Sequence, residues 1–199
     1  MEFSFLKNKI VILGSSSPRR KELLEQIGIF PVIKSPDIPE NSKFIDNPSS
    51  YVVDIANQKL EAIVNQNNEA DIIICADTMI YFDGKMIGKP LSLADAETTL
   101  MSLNNNTHEV HSGVSVAFLE NGTVIKRESF FQMTQVSFAD NNPKVIKEYV
   151  ATKEPLGKAG SYAIQGLGSI LVKQITGDYS NIVGLPLFKL FQCLSREFI

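Results

Sequence analysis

Apolar and polar residues along this chain fall into alternating strand-like and helix-like blocks. Lys9 to Gly14 is a β-branched run closed by glycine and predicts a buried strand. Ser17 and Pro18 follow as helix N-cap and first helical residue, and Leu23, Leu24 and Ile27 form an apolar face that ends at Gly28. Phe30 to Lys34 predicts a second strand, and residues 35–48, with Pro36, Pro39 and Pro48, a loop. Ser49 is the expected cap of a longer helix, with Val52, Ala56, Leu60, Ile63 and Val64 at helical spacing. Asp71 to Asp77 predicts a third strand, and Met79 to Ile87 a hairpin turning at Asp83-Gly84. Ser92 with Asp95 resembles a capping box and opens a helix through Leu103. Thr107 to Leu119 and Thr123 to Phe138 read as two long strands joined by Asn121-Gly122. Asn142-Pro143 opens a helix ending near Thr152, and a glycine-rich loop, a strand and a helix from about Pro186 complete the chain.

This alternation, with a hairpin-rich segment in the middle, predicts an α/β fold with a mixed twisted sheet flanked by helices. The 199 residues suffice for a single domain over 1–199, or two lobes sharing a core. With 44% hydrophobic and 21% charged residues, the composition is that of an ordinary globular protein. A net charge of -3 argues against bulk nucleic-acid binding but leaves room for one small anion on a local basic cluster. Cys75 and Cys193 sit in apolar stretches and read as buried thiols. No apolar run approaches the ~18 residues of a membrane span, and the N-terminal segment does not have the form of a signal peptide, so the expected location is cytoplasmic, with no membrane partner.

Four segments carry candidate chemistry. The first is Ser15-Ser16-Ser17-Pro18-Arg19-Arg20. A helix N-terminus is electropositive, so two arginines in its first turn cost about 0.3–1 kcal/mol each. A bound phosphate offsets that cost through free amides, hydroxyls and guanidinium forks; a plain capped helix with solvated arginines is the alternative. The second is Asp77-Thr78, after the buried run of residues 72–76, where open α/β sheets bind ligands. Asp77 there either holds a hard cation or orients a water, or is a turn aspartate. The third is Lys89 between Gly88 and Pro90, a point charge on restricted backbone or a surface lysine; Lys59, beside Leu60 on a striped helix, either joins such a site or snorkels to water. The fourth is the stretch from Lys158 to Gly168, whose three glycines permit close backbone approach to a ligand and whose Gln165 carries both a donor and an acceptor for a base edge; a glycine-rich turn without a ligand is the alternative.

Other chemistries lack their motifs. The chain has no GxxxxGK[ST] phosphate loop, no GxSxG elbow, and only two histidines, in a His-Glu-Val-His run one residue short of HExxH.

Taken in order, Ser-x-Ser-Pro-Arg-Arg, Ala-Asp-Thr, Gly-Lys-Pro, Thr-His-x-Val, Lys-Ala-Gly-x-Tyr-x-Ile-Gln-Gly and Val-Gly-Leu-Pro-Leu closely resemble the Maf family of nucleoside triphosphate pyrophosphatases, from about Ile10 to Leu194. The resemblance implies an inosine-triphosphatase-like fold with two lobes around a nucleotide cleft, a divalent metal cofactor (Mg or Mn) and frequent homodimers. It implies that Ser15, Arg19 and Arg20 hold the triphosphate, that Lys59 and Lys89 add charge to it, and that Asp77 is the proton acceptor for water. Asp77 and Glu40 would be the metal-associated carboxylates. Arg19, Thr78 and Gln165 match the branch that acts on dTTP and UTP; the branch that prefers 7-methyl-GTP has a tryptophan before its arginines, and this chain has no tryptophan. Two departures stand out: Gly157 where the family usually has aspartate, and Pro39 where an acid usually precedes the loop glutamate. The implied function is hydrolysis of dTTP and UTP to the monophosphate and pyrophosphate. A catalytically weak nucleotide sensor linked to cell division is the alternative.

Overall fold

In a computed structural model, residue 3 and residues 6–66 and 69–198 are described. Among them, seven strands form one mixed sheet in the order β2-β1-β3-β5-β6-β7, with β4 paired to β3. The strands are β1 (Val11–Gly14), β2 (Val32–Ile33), β3 (Ile72–Phe82), β4 (Lys85–Ile87), β5 (Thr107–Glu120), β6 (Thr123–Phe138) and β7 (Val172–Thr176). Six helices accompany them: α1 (Pro18–Gln26), α2 (Pro48–Val64), α3 (Leu93–Leu103), α4 (Pro143–Ala151), α5 (Tyr179–Val183) and α6 (Leu187–Phe198). β1 pairs in parallel with β2 and β3, whereas β3/β4 and β6/β7 are antiparallel. The predicted mixed α/β sheet with flanking helices is therefore present.

Contacts divide the chain into two compact units. The first comprises residues 1–77, 112–132 and 184–199; the second comprises residues 78–111 and 133–183. Each has its own apolar core. In the first, Ile12, Leu60, Ile63, Ile73, Ala117 and Leu119 pack together. In the second, Ile80, Leu100, Val110, Phe138, Ile146 and Leu171 do so. Residues 72–77 of β3 are buried throughout, which is why that run lacks the alternation of a half-exposed strand.

Several boundaries differ from those the sequence predicts. α2 begins at Pro48, and its cap is Asn47, whose side-chain oxygen accepts from Ser50 N at 2.9 Å; Ser49 lies inside the first turn. Pro48 supplies the reason, since proline has no N–H to leave orphaned at the first helical position. β3 runs unbroken through Asp77 to Phe82 and then turns at Asp83-Gly84, both at positive φ, into β4. The second strand shrinks to two residues, both exposed at the sheet edge. Two 3-10 turns, Ala159–Ser161 and Leu167–Leu171, lie in the stretch the sequence read as a glycine-rich loop, and α5 lies between β7 and α6, where no element was predicted. Cys75 and Cys193 are free and buried, as expected.

α2 is the element that matters most for the site. Val52, Ile55, Ala56, Lys59, Leu60 and Ile63 form its buried stripe. The stripe packs so closely on β5 that a Cβ at Gly113 would fall 2.3 Å from the carbonyl carbon of Val52. The helix is thereby locked in depth and register, and Lys59 faces inward.

Candidate active site

In the first unit, Lys59 is only 8% exposed and Asp77 7%, near the limit at which charged side chains occur in a folded interior. The Lys59 ammonium donates to Asp77 Oδ1 at 2.7 Å and lies 2.7 Å from Glu40 Oε1. It thus bridges the two carboxylates that the sequence singled out, and it does not snorkel to water. A buried charge needs partners of this kind, because desolvation without them is prohibitive.

Glu40 belongs to the proline-containing loop before α2, and α2 itself holds that loop. Gln58 Nε2 donates to Asn41 O at 2.8 Å and to Asp54 Oδ2 at 2.9 Å. The Tyr51 hydroxyl reaches Glu40 O at 3.4 Å. Burial, then the neighbouring charges of Asp77 and Glu40, push the Tyr51 phenol above its ordinary pKa, so it stays a protonated donor beside the carboxylates. Tyr51 and Gln58 were not anticipated from sequence; their spacing of seven places them on one side of α2, which is the only local signal they give.

The arginine loop joins the same unit. Arg20 donates through Nη1 to Ser15 Oγ and through Nε to Gly184 O, both at 2.9 Å. Gly184 opens the Gly-Leu-Pro-Leu run before α6, which gives that motif a role in seating the guanidinium. Burial lowers the pKa of Arg20, and the nearby carboxylate of Asp77 is the largest influence opposing it. Arg19 is half-exposed and makes no hydrogen bond or ion pair among the described residues. Ser17 caps α1 in position only, without a side-chain bond. The first turn thus presents Arg19 and an electropositive helix end. Beneath the loop, Cys75 lies where a Cβ on Gly14 would fall 2.2 Å from its sulfur. Burial pushes its thiol up to about 12, which excludes it as a nucleophile at neutral pH.

The remaining candidates, Thr78, Lys89 and Gln165, belong to the second unit. Thr78 is half-buried, and Lys89 and Gln165 are exposed. Gly88 O accepts from Gly160 N at 3.0 Å, which ties the lysine turn to the Lys-Ala-Gly segment. Gly160 itself, at φ +67, has no room for a side chain, since a Cβ would lie 2.0 Å from Ile80 Cδ1. In the Thr-His-x-Val motif, His108 is 1% exposed and pairs through Nε2 with the Tyr162 hydroxyl at 2.9 Å, edge-on to Phe138. That motif and the tyrosine of the glycine-rich segment are therefore one internal contact. Gly157 takes φ +74 in an exposed turn, and a Cβ there would have no atom within 4 Å, so an aspartate would meet no steric obstacle beyond its backbone preference.

Residues 10–197 match the family model described as Maf-like protein. The dTTP/UTP pyrophosphatase of Bacillus anthracis (strain CDC 684 / NRRL 3495) is 42% identical over 187 residues, covering 94% of each chain. The dTTP/UTP pyrophosphatase of Bacillus cereus (strain AH820) has the same identity and coverage. Among solved structures, the Staphylococcus aureus Ham1 protein aligns with 67% of this chain and 73% of its own at 14% identity, with a TM-score of 0.45. By the family match over residues 10–197 and by relatives this similar along nearly its whole length, the chain belongs to the Maf family.

Proposed function

We propose that this protein is a nucleoside triphosphate pyrophosphatase acting on dTTP and UTP, releasing the monophosphate and pyrophosphate. The observation that carries the proposal is the convergence of Asp77 and Glu40 on the Lys59 ammonium, in the unit that also holds Ser15, Arg19 and Arg20. The names of the relatives, which are 42% identical, supply the substrate class.

A phosphoanhydride demands charge neutralisation and positioning more than covalent catalysis. Arg20, fixed by Ser15 and Gly184, and Arg19, free to reach outward, suit the phosphates. Lys59 holds Asp77 in place through its 2.7 Å contact with Oδ1. Asp77 orients a water for in-line attack on the α-phosphorus; the new P–O bond forms as the bond to the bridging β-oxygen breaks. The proton of the attacking water passes to the free oxygen of Asp77. From the second unit we assign Lys89 to the phosphates, and Thr78 and Gln165 to recognition of the nucleoside.

Glu40 and Asp77 also fit a divalent cation. They already converge on one cationic point, and paired carboxylates completed by phosphate oxygens and water suit magnesium or manganese. Among the described residues no group of three or more acidic, histidine or cysteine side chains is placed to hold an ion by itself, so phosphate and water would have to complete the shell. Bound there, the metal would neutralise charge on the phosphate oxygens.

The test is a panel of nucleoside triphosphates with magnesium or manganese, assayed for phosphate with and without added inorganic pyrophosphatase. Phosphate that appears only with the coupling enzyme, with dTTP and UTP as the preferred substrates, is the expected result. Phosphate without the coupling enzyme would place the cut at the terminal phosphate and overturn the proposal.

A further inference from the structure

The glycine-rich segment was expected to bring backbone close to a ligand, but its last two glycines have an internal cause. Glu154 follows α4, and its carboxylate accepts from Leu167 N and Gly168 N, each at 3.0 Å, and from the Tyr149 hydroxyl at 2.9 Å. A Cβ at Gly166 would lie 2.5 Å from Glu154 Oε2, and one at Gly168 2.7 Å from the Tyr149 oxygen. The same Tyr149 hydroxyl accepts from Ala163 N at 3.2 Å. Residues 164–166 are thus held from both sides, by Tyr149 at Ala163 and by Glu154 at Leu167 and Gly168, with the turn closed by Gly166 N donating to Ala163 O at 3.1 Å. Burial works to raise the Glu154 pKa, yet the amides of Gly168 and Leu167 with the Tyr149 hydroxyl bring it below the usual carboxylate value. It is an anion built into the loop.

Gln165 stands at the centre of this clamp. Its side chain is exposed and makes no hydrogen bond among the described residues, so packing does not orient it. The backbone from which it departs is held by Glu154 and Tyr149.

We infer that Glu154, with Tyr149, is a positioning residue that holds Gln165 toward the nucleoside base and so sets the preference for pyrimidine over purine nucleotides. This rests on the reading of Gln165 as a base-recognising residue. Glutamine at position 154 keeps the shape but has only one oxygen to accept with. At least one amide loses its partner and the turn loosens, which touches base choice without touching the phosphate-binding residues.

The experiment measures kcat/KM for dTTP and dGTP in the wild type, Glu154→Gln, Tyr149→Phe, Gln165→Ala and the Glu154→Gln/Gln165→Ala double variant. The inference predicts that Glu154→Gln lowers the dTTP:dGTP ratio about tenfold, mostly through KM for dTTP, and Tyr149→Phe lowers it less. It also predicts that the double variant has no lower ratio than Gln165→Ala, because the two act through one contact. Equal losses on both nucleotides in Glu154→Gln would mean a structural role only and overturn the inference. Should Glu154→Gln fail to fold, a wild-type ratio in Tyr149→Phe overturns it as well. A wild-type ratio in Gln165→Ala would overturn the base reading itself, a result distinct from a collapsed ratio in Gln165→Ala with none in the clamp variants.

Discussion

Lys59 shows how one residue carries two kinds of information. Its place on the buried stripe of α2, between Ala56 and Leu60, makes it a charge where periodicity demands an apolar side chain. That conflict was visible in the sequence; its resolution by Asp77 and Glu40 was not, because the partners lie 18 residues downstream and in a loop without periodicity. Glu40 has no local signal and was legible only through family resemblance, and Tyr51 was missed altogether. Replacing Lys59 by glutamine should leave two carboxylates without their cation, destabilising the protein by about 3 kcal/mol or more. In thermal melts Lys59→Gln is expected to gain more from added magnesium than the wild type does; equal gains would contradict the bridging role. His108 supplies a pH test. Burial lowers its pKa from 6.5 to about 4, so the folded state favours the neutral ring. Its contribution, on the order of 3 kcal/mol, is complete above pH 6.5 and drains away as pH falls from 6.5 toward 4. Urea midpoints across that window should fall more steeply in wild type than in His108→Gln, and parallel slopes would refute the assignment.

At the level of elements, the parts with strong local chemistry were legible. The Asn121-Gly122 turn, both residues at positive φ, joins β5 and β6 where expected, and Ser92 Oγ caps α3 through Asp95 N at 3.1 Å. What remained hidden was decided by tertiary approach. The N-terminus of α2 followed Asn47-Pro48 instead of Ser49, and the glycines at 166 and 168 sit against Glu154 and Tyr149. Gly113 belongs to the same class. With a Cβ 2.3 Å from the Val52 carbonyl carbon, Gly113→Ala must displace α2 or bend β5. A loss of about 1–3 kcal/mol in chemical denaturation is expected. Because α2 carries Lys59, Gln58 and Tyr51, activity should fall more than stability alone explains. A variant as stable and active as the wild type would show that this contact is not what fixes the helix.

Across the whole molecule, net charge argued against broad nucleic-acid binding but said nothing about where positive charge gathers. A chain with net charge -3 still places Arg19, Arg20 and Lys59 in one unit with Asp77 and Glu40. No helix among the described residues is long and apolar enough to cross a membrane. The two departures from the family pattern leave this cluster whole: Gly157 lies in an exposed turn of the second unit, and Glu40 reaches Lys59 with Pro39 before it. The central claim is that water, oriented by Asp77, attacks the α-phosphorus. Its most direct test is to hydrolyse dTTP in water enriched with oxygen-18 and locate the label by phosphorus NMR or mass spectrometry. Label in the thymidine monophosphate, lost together with turnover in Asp77→Asn, is the predicted result; label in the pyrophosphate would place the attack on the β-phosphorus and contradict the account.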